Sequence, residues 1–240
     1  MFARAVCMIL VLGLIKVSAA QSAETGESDP WFGHVKFGYL ATSGNTENSN
    51  LNSSFQLGYT AGKWVHTFNA FAVYASENDA TTAEAYELGW KSERNLTEVD
   101  FLFGRVNWRK DRFSGYPEQV SESVGYGRRL IDKAPHTLNA EIGLGARQAE
   151  RVDGVSENDA ILRAGLDYKW QFSENAAFTQ DFVVEAGQNN NYLESVSAVT
   201  ARLIGDLALV ASYTIKKNSD VLPGTEDTDT YTAVSLEYAF

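Results

Sequence analysis

The sequence predicts an all-β fold, a single antiparallel transmembrane β-barrel of about 12 strands with both termini periplasmic. Three observations predict it. Short segments alternate apolar with small or polar residues at a period of two along most of the chain. The stretches between them alternate between tight turns and longer polar loops. The last stretch, "YTAVSLEYAF", keeps its alternation to the final residue, where a soluble domain would usually fray.

Residues 1–20 read as a signal peptide. Arg4 precedes an apolar run from Ala5 to Ile15, and Ser18-Ala19-Ala20 supplies a small-residue cleavage site. The run is too short to span a bilayer as a helix, which takes roughly 20 residues. Residues 21–30 read as a short periplasmic lead-in, and residues 31–240 as the barrel. The one cysteine, Cys7, leaves with the signal, so the barrel holds together without disulfides. Removing Arg4 and Lys16 lowers the basic side chains from 20 to 18 against 31 acidic ones, a formal charge of −13. That charge excludes a nucleic-acid partner, whose phosphates call for a basic surface.

The elements follow in order. In the first segment Trp31, Val35, Phe37 and Tyr39 share a face opposite His34 and Lys36. In the second, Leu51, Phe55, Leu57 and Tyr59 oppose Asn52, Ser54 and Gln56. A turn at "AGK" leads into a third segment from Trp64 to Ala75, and "SENDATT" reads as the loop after it. Tyr86, Leu88 and Trp90 align in the fourth. The fifth changes phase, with Phe101 and Phe103 on one parity and Val106 and Trp108 on the other, as a bulge would produce. The sixth aligns Val124 with Tyr126. The seventh and eighth are the cleanest, from His136 to Arg147 and from Ala160 to Trp170. In the ninth, Phe178, Phe182 and Val184 read as facing away from Gln180. Val199, Ala201 and Leu203 mark the tenth, and Leu207 to Ile215 the eleventh. In the twelfth, Val234, Leu236, Tyr238 and Phe240 share the greasy face. Aromatic residues gather near segment ends, at Trp31, Tyr59, Trp64, Trp90, Trp170, Tyr238 and Phe240, as interfacial girdles do.

Alternation alone leaves a rival fold, a soluble lipocalin-like barrel with its apolar face inward. Loop alternation, the aromatic end and a second face rich in glycine and mixed charge favour the membrane barrel.

The last ten residues resemble the terminal strand of bacterial outer-membrane proteins. That resemblance implies recognition of Val234, Leu236, Tyr238 and Phe240 by the barrel-assembly machinery. From about Trp31 to Phe240, "GYLATSGNTENSNLN", "VGYGRRLI" and "LNAEIGLGARQ" resemble the salt-induced outer-membrane protein family, a domain of unknown function numbered 481. Gly44, Asn45 and Thr46 match its early Gly-Asn-Thr. The resemblance implies a Gram-negative outer-membrane location, with lipid and lipopolysaccharide as surroundings, and salt-linked expression.

Candidate chemistry centres on the second face. Glu141, Arg147, Arg163, Asp167, Lys169, Asp181, Glu185 and Glu237 read as pointing into the lumen. Buried charges must be paired or wet, so they form either a salt-bridge lattice or the lining of a pore for small polar or charged solutes. The expected function is therefore a narrow passive channel. The alternatives are a plugged structural or surface-interaction barrel and, last, a lipid-modifying enzyme. His34, His66 and His136 lack a neighbouring nucleophile signature such as G-x-S-x-G, so no catalytic residue is assigned. No cofactor is expected. The acidic stretches "SENDATTAE" and "PGTEDTDT" lack calcium-loop spacing and read as solvated loops.

Overall fold

The computed structural model describes residues 29–42 and 48–240. The signal, most of the lead-in, and Gly44, Asn45 and Thr46 lie outside the described residues. Twelve strands run β1 (Trp31–Thr42), β2 (Asn48–Ala61), β3 (Trp64–Glu77), β4 (Ala80–Asn95), β5 (Asp100–Asp111) and β6 (Glu118–Lys133). They continue as β7 (His136–Glu150), β8 (Ser156–Ser173), β9 (Ala176–Ala186), β10 (Asn191–Ile204), β11 (Leu207–Asn218) and β12 (Thr228–Ala239). Each pairs antiparallel with the next, and β12 pairs with β1, so the sheet closes and has no free edge.

Closure rests on the last residue. Phe240 and Gly33 exchange both backbone hydrogen bonds at 2.9 Å. A Cβ on Gly33 would stand 2.9 Å from the Phe240 ring and 2.4 Å from the Gln56 carbonyl, so only glycine lets ring and strand approach here.

The apolar face points outward. Val124 and Leu144 are 68% exposed, Val234 60% and Ile142 56%. Inside, by contrast, Arg147, Arg163 and Glu185 are at most 1% exposed. This arrangement inverts a soluble barrel and removes the lipocalin-like alternative. Near the rim that carries both β1's start and β12's end, outward aromatic rings stack. Trp31 meets Tyr59 at 4.5 Å, Trp64 and Trp90 flank His66, and Trp170 packs with Phe172 at 5.5 Å.

Three expectations change. β5 contains no bulge, since its register with β4 and β6 is unbroken. Phe101 and Phe103 instead turn inward with Arg105 and Arg109, because glycines across the wall make room. A Cβ on Gly127 would lie 2.2 Å from the Phe101 ring, and one on Gly125 2.7 Å from that of Phe103. The "SENDATT" loop is a hairpin turn of Asn78 and Asp79, whose φ values of 48° and 63° suit a primed turn. Its acidic flanks belong to β3 and β4, and a register shift opposite Ala75 and Ser76 absorbs one extra β4 residue. Gln180 lies on the outward face with Phe178 and Phe182, satisfied there by Ser195 (3.0 Å) and Ser197 (2.5 Å). Strand lengths run from 11 residues in β9 to 18 in β8.

Candidate functional site: the barrel lumen

Strand alternation places one wall of side chains inside, and two kinds of filling result. Along β5–β10 the lumen is packed with charge. Glu141 on β7 takes hydrogen bonds from Lys91 on β4 and from Arg163 on β8, the latter at 2.8 Å. Lys91 also reaches Glu93 at 2.6 Å. Glu185 on β9 accepts both guanidinium nitrogens of Arg109 at 3.1 Å and the Ser121 hydroxyl at 3.1 Å. Arg147 holds Asp159 at 3.1 Å and the Asn190 carbonyl. Glu141, Asp159 and Glu185 thus each have at least two donors, the condition under which a charge survives outside bulk water. Lys91 and Arg163 lie over the ring of Phe103 at 5.8 and 5.6 Å, so the inward phenylalanines brace the lattice as cation–π partners.

Elsewhere the lumen is hollow, a space that β1–β4 and β11–β12 share with parts of β5, β9 and β10, its walls mixing amides, hydroxyls and charges with apolar side chains. One cavity of about 350 Å³ is bounded by His34, Lys36, Gln56, Asn69, Arg105 and Asp181 among others. A second of about 290 Å³ lies toward the loop rim, and the two share Asn52, Phe71, Ser212, Thr214 and Ala233. On the wall of the first cavity Lys216 pairs with Glu87 and lies 5.3 Å from the Phe71 ring and 5.6 Å from that of Tyr231.

The loops after β5, β7, β9 and β11 pack on one another at one rim. Tyr116, 1% exposed, donates to Glu157 at 3.2 Å, and burial pushes its hydroxyl pKa upward. Asn190 donates to Asn218 at 2.8 Å, and Val221 fills the space above Gly115. At the surface, Arg151 grips Asp153 through two bonds of 3.0 and 2.6 Å, which hold the Asp153 carboxyl below its ordinary pKa. Asp227 is lowered by Lys217 at 2.5 Å and by the Thr228 hydroxyl at 2.7 Å.

The family model described as "Protein of unknown function, DUF481" matches residues 35–240. The chain belongs to this family. A relative in it is the uncharacterized protein YdiY of Escherichia coli (strain K12), 34% identical over 211 residues, 88% of this chain and 83% of that one. Among solved structures, an outer membrane channel from Pseudomonas putida F1 aligns with TM-score 0.51 at 10% identity, over 92% of this chain and 98% of that one. The NanC porin aligns with TM-score 0.50 at 10% identity, over 86% and 97%. The fold of this DUF481 member is that of outer-membrane barrels.

All eight lumen charges read from its sequence fall on the inward parity. Glu141, Arg147, Arg163 and Glu185 join the lattice, and Glu237 pairs with Lys36 at 3.0 Å. The carboxylates of Asp167 and Asp181 and the ammonium of Lys169 make no hydrogen bond or ion pair among the described residues. Sequence reading missed Glu87, Lys91, Arg105, Arg109, Asp159 and Lys216. The signal was present for most: Glu87 and Lys91 oppose Tyr86, Leu88 and Trp90, and Lys216 follows Ile215. Arg105 and Arg109 were hidden by the assumed phase change in β5. Of the histidines, His34 lines the cavity, His66 sits outside between two tryptophans, and His136 contacts the Tyr168 hydroxyl at 2.9 Å on the outer wall. Among the described residues no group of three or more metal-ligating side chains converges.

Proposed function

We propose that this protein is an outer-membrane channel, its termini in the periplasm, with a narrow water-filled passage for small polar or charged solutes along one side of the lumen. The observation carrying this reading is the division of the interior. A lattice packs one side, while β1–β4 and β11–β12, with β5, β9 and β10 completing the wall, enclose two adjoining cavities lined by polar and apolar side chains. Amide and hydroxyl walls can exchange hydrogen bonds with a passing solute without holding it, which conduction requires. The channel and porin named among the fold neighbours support the reading at the level of architecture. The family resemblance adds salt-linked expression, which transcript levels at low and high osmolarity would test.

A second reading, a plugged barrel, has its own observation. The Lys216–Glu87 pair stands on the wall of the first cavity, beside Phe71, which lines both cavities, and Tyr231, which lines the second. Single-channel recording of refolded protein in a planar bilayer separates the two. Discrete steps in the wild type support the channel. Silence from folded wild type, with steps only in Glu87→Ala/Lys216→Ala, supports the plug. Silence from both overturns the passage altogether.

A further inference from the structure

We propose that the waist of the barrel binds a small zwitterionic solute, with Arg105 receiving its anionic group and Asp181 its cationic group. The inference rests on the channel reading above and narrows its solute class.

Both residues line the same cavity from different walls, Arg105 on β5 and Asp181 on β9, with three strands between them. The other lysines and arginines there are partnered: Lys36 by Glu237, Arg109 by Glu185 and Lys216 by Glu87. The acids Glu87 and Glu194 are engaged too, Glu194 by the Tyr192 hydroxyl. Arg105 has no hydrogen bond or ion pair among the described residues, and its Nε is buried without a partner. The Asp181 carboxylate has none either, and the residue is open to the cavity. The two do not pair with each other, and both line the same open space.

An unpaired charge away from bulk water is costly until something meets it, and the low-dielectric wall strengthens any charge that does. A simple anion gains from Arg105 and is repelled by Asp181. A simple cation suffers the reverse. A zwitterion lying across the waist gains on both sides. Gln56 and Asn69, joined at 2.9 Å, add neutral donors and acceptors to the same cavity.

The test measures efflux of radiolabelled β-alanine, methanesulfonate and tetramethylammonium from liposomes holding the refolded protein, in a potassium chloride background. The expected result is fastest efflux of β-alanine. Arg105→Gln and Asp181→Asn should each cut that preference about tenfold, the loss of one charge-assisted hydrogen bond. Arg105→Lys should restore most of it. Arg105→Gln should also raise tetramethylammonium relative to methanesulfonate, and Asp181→Asn should do the opposite. Equal rates for the three solutes in the wild type, or a preference indifferent to both substitutions, would overturn the site and leave the channel standing. No efflux of any solute from protein shown to be folded would overturn both. The wild-type order decides the matter if a variant does not fold.

Discussion

Ile142→Arg tests which way the greasy face points. Ile142 is 56% exposed on the outer wall, with Tyr126 and Ala164 as cross-strand neighbours. It lies six residues from His136 and eight from Glu150, the ends of β7. At a rise of about 3.4 Å per residue and a tilt of about 40°, it stands roughly 15 Å from one end and roughly 20 Å from the other. That is the middle of an apolar band about 25 Å tall. Arginine at the midplane of such a barrel costs about 2–4 kcal/mol, a factor of roughly 30 to 1,000 in the folded ratio. Val152→Arg is the control. Val152 is 51% exposed but sits in the loop between β7 and β8, where the cost should be about 0–1 kcal/mol. The assay is reversible guanidinium unfolding in lipid vesicles, followed through the fluorescence of the five tryptophans. An Ile142→Arg cost within about 0.5 kcal/mol of the Val152→Arg cost would refute a lipid-facing wall, because a water-facing site gives surface substitutions of that size.

Three further outcomes follow from the same geometry. Glu185→Gln leaves Arg109 without its countercharge in the lattice and should cost about 3–5 kcal/mol in the vesicle assay, whereas Arg109→Leu/Glu185→Leu together should cost less. Gly127→Ala drives a methyl into the Phe101 ring and should cost about 1–3 kcal/mol, with partial rescue by Phe101→Ala in a double-mutant cycle. At the loop rim the depressed Asp153 carboxyl makes its contribution above its unfolded pKa, and the Arg151 contact weakens as pH falls through the lower folded value. Carbon-detected NMR should find that titration midpoint below 3.8, and Arg151→Gln should move it up.

Much of the barrel was legible because a strand has only two faces. Once Leu162 and Leu166 are placed outside, Arg163 and Asp167 can only be inside. The same rule read the closing strand from Val234 to Phe240. It failed where a residue type misled. The apolar rings of Phe101 and Phe103 suggest the outer wall, yet they fill space over Gly125 and Gly127, and nothing local to β5 shows those glycines opposite. The polar side chain of Gln180 suggests the lumen, yet Ser195 and Ser197 on β10 satisfy it outside. The turn at Asn78-Asp79 was hidden in a polar stretch whose ends continue the ladder.

The sequence by itself determined the period, the antiparallel order and which residues share a wall, because those follow from local geometry and connection length. Only the tertiary structure decided which wall is inside, since alternation reads the same either way. It also decided which charges meet. Lys91 finds Glu141, Arg109 finds Glu185 and Lys216 finds Glu87 across 50, 76 and 129 residues of chain. Those pairings, and the failure of Arg105 and Asp181 to find any, depend on how the closed sheet turns its strands toward one another across the lumen.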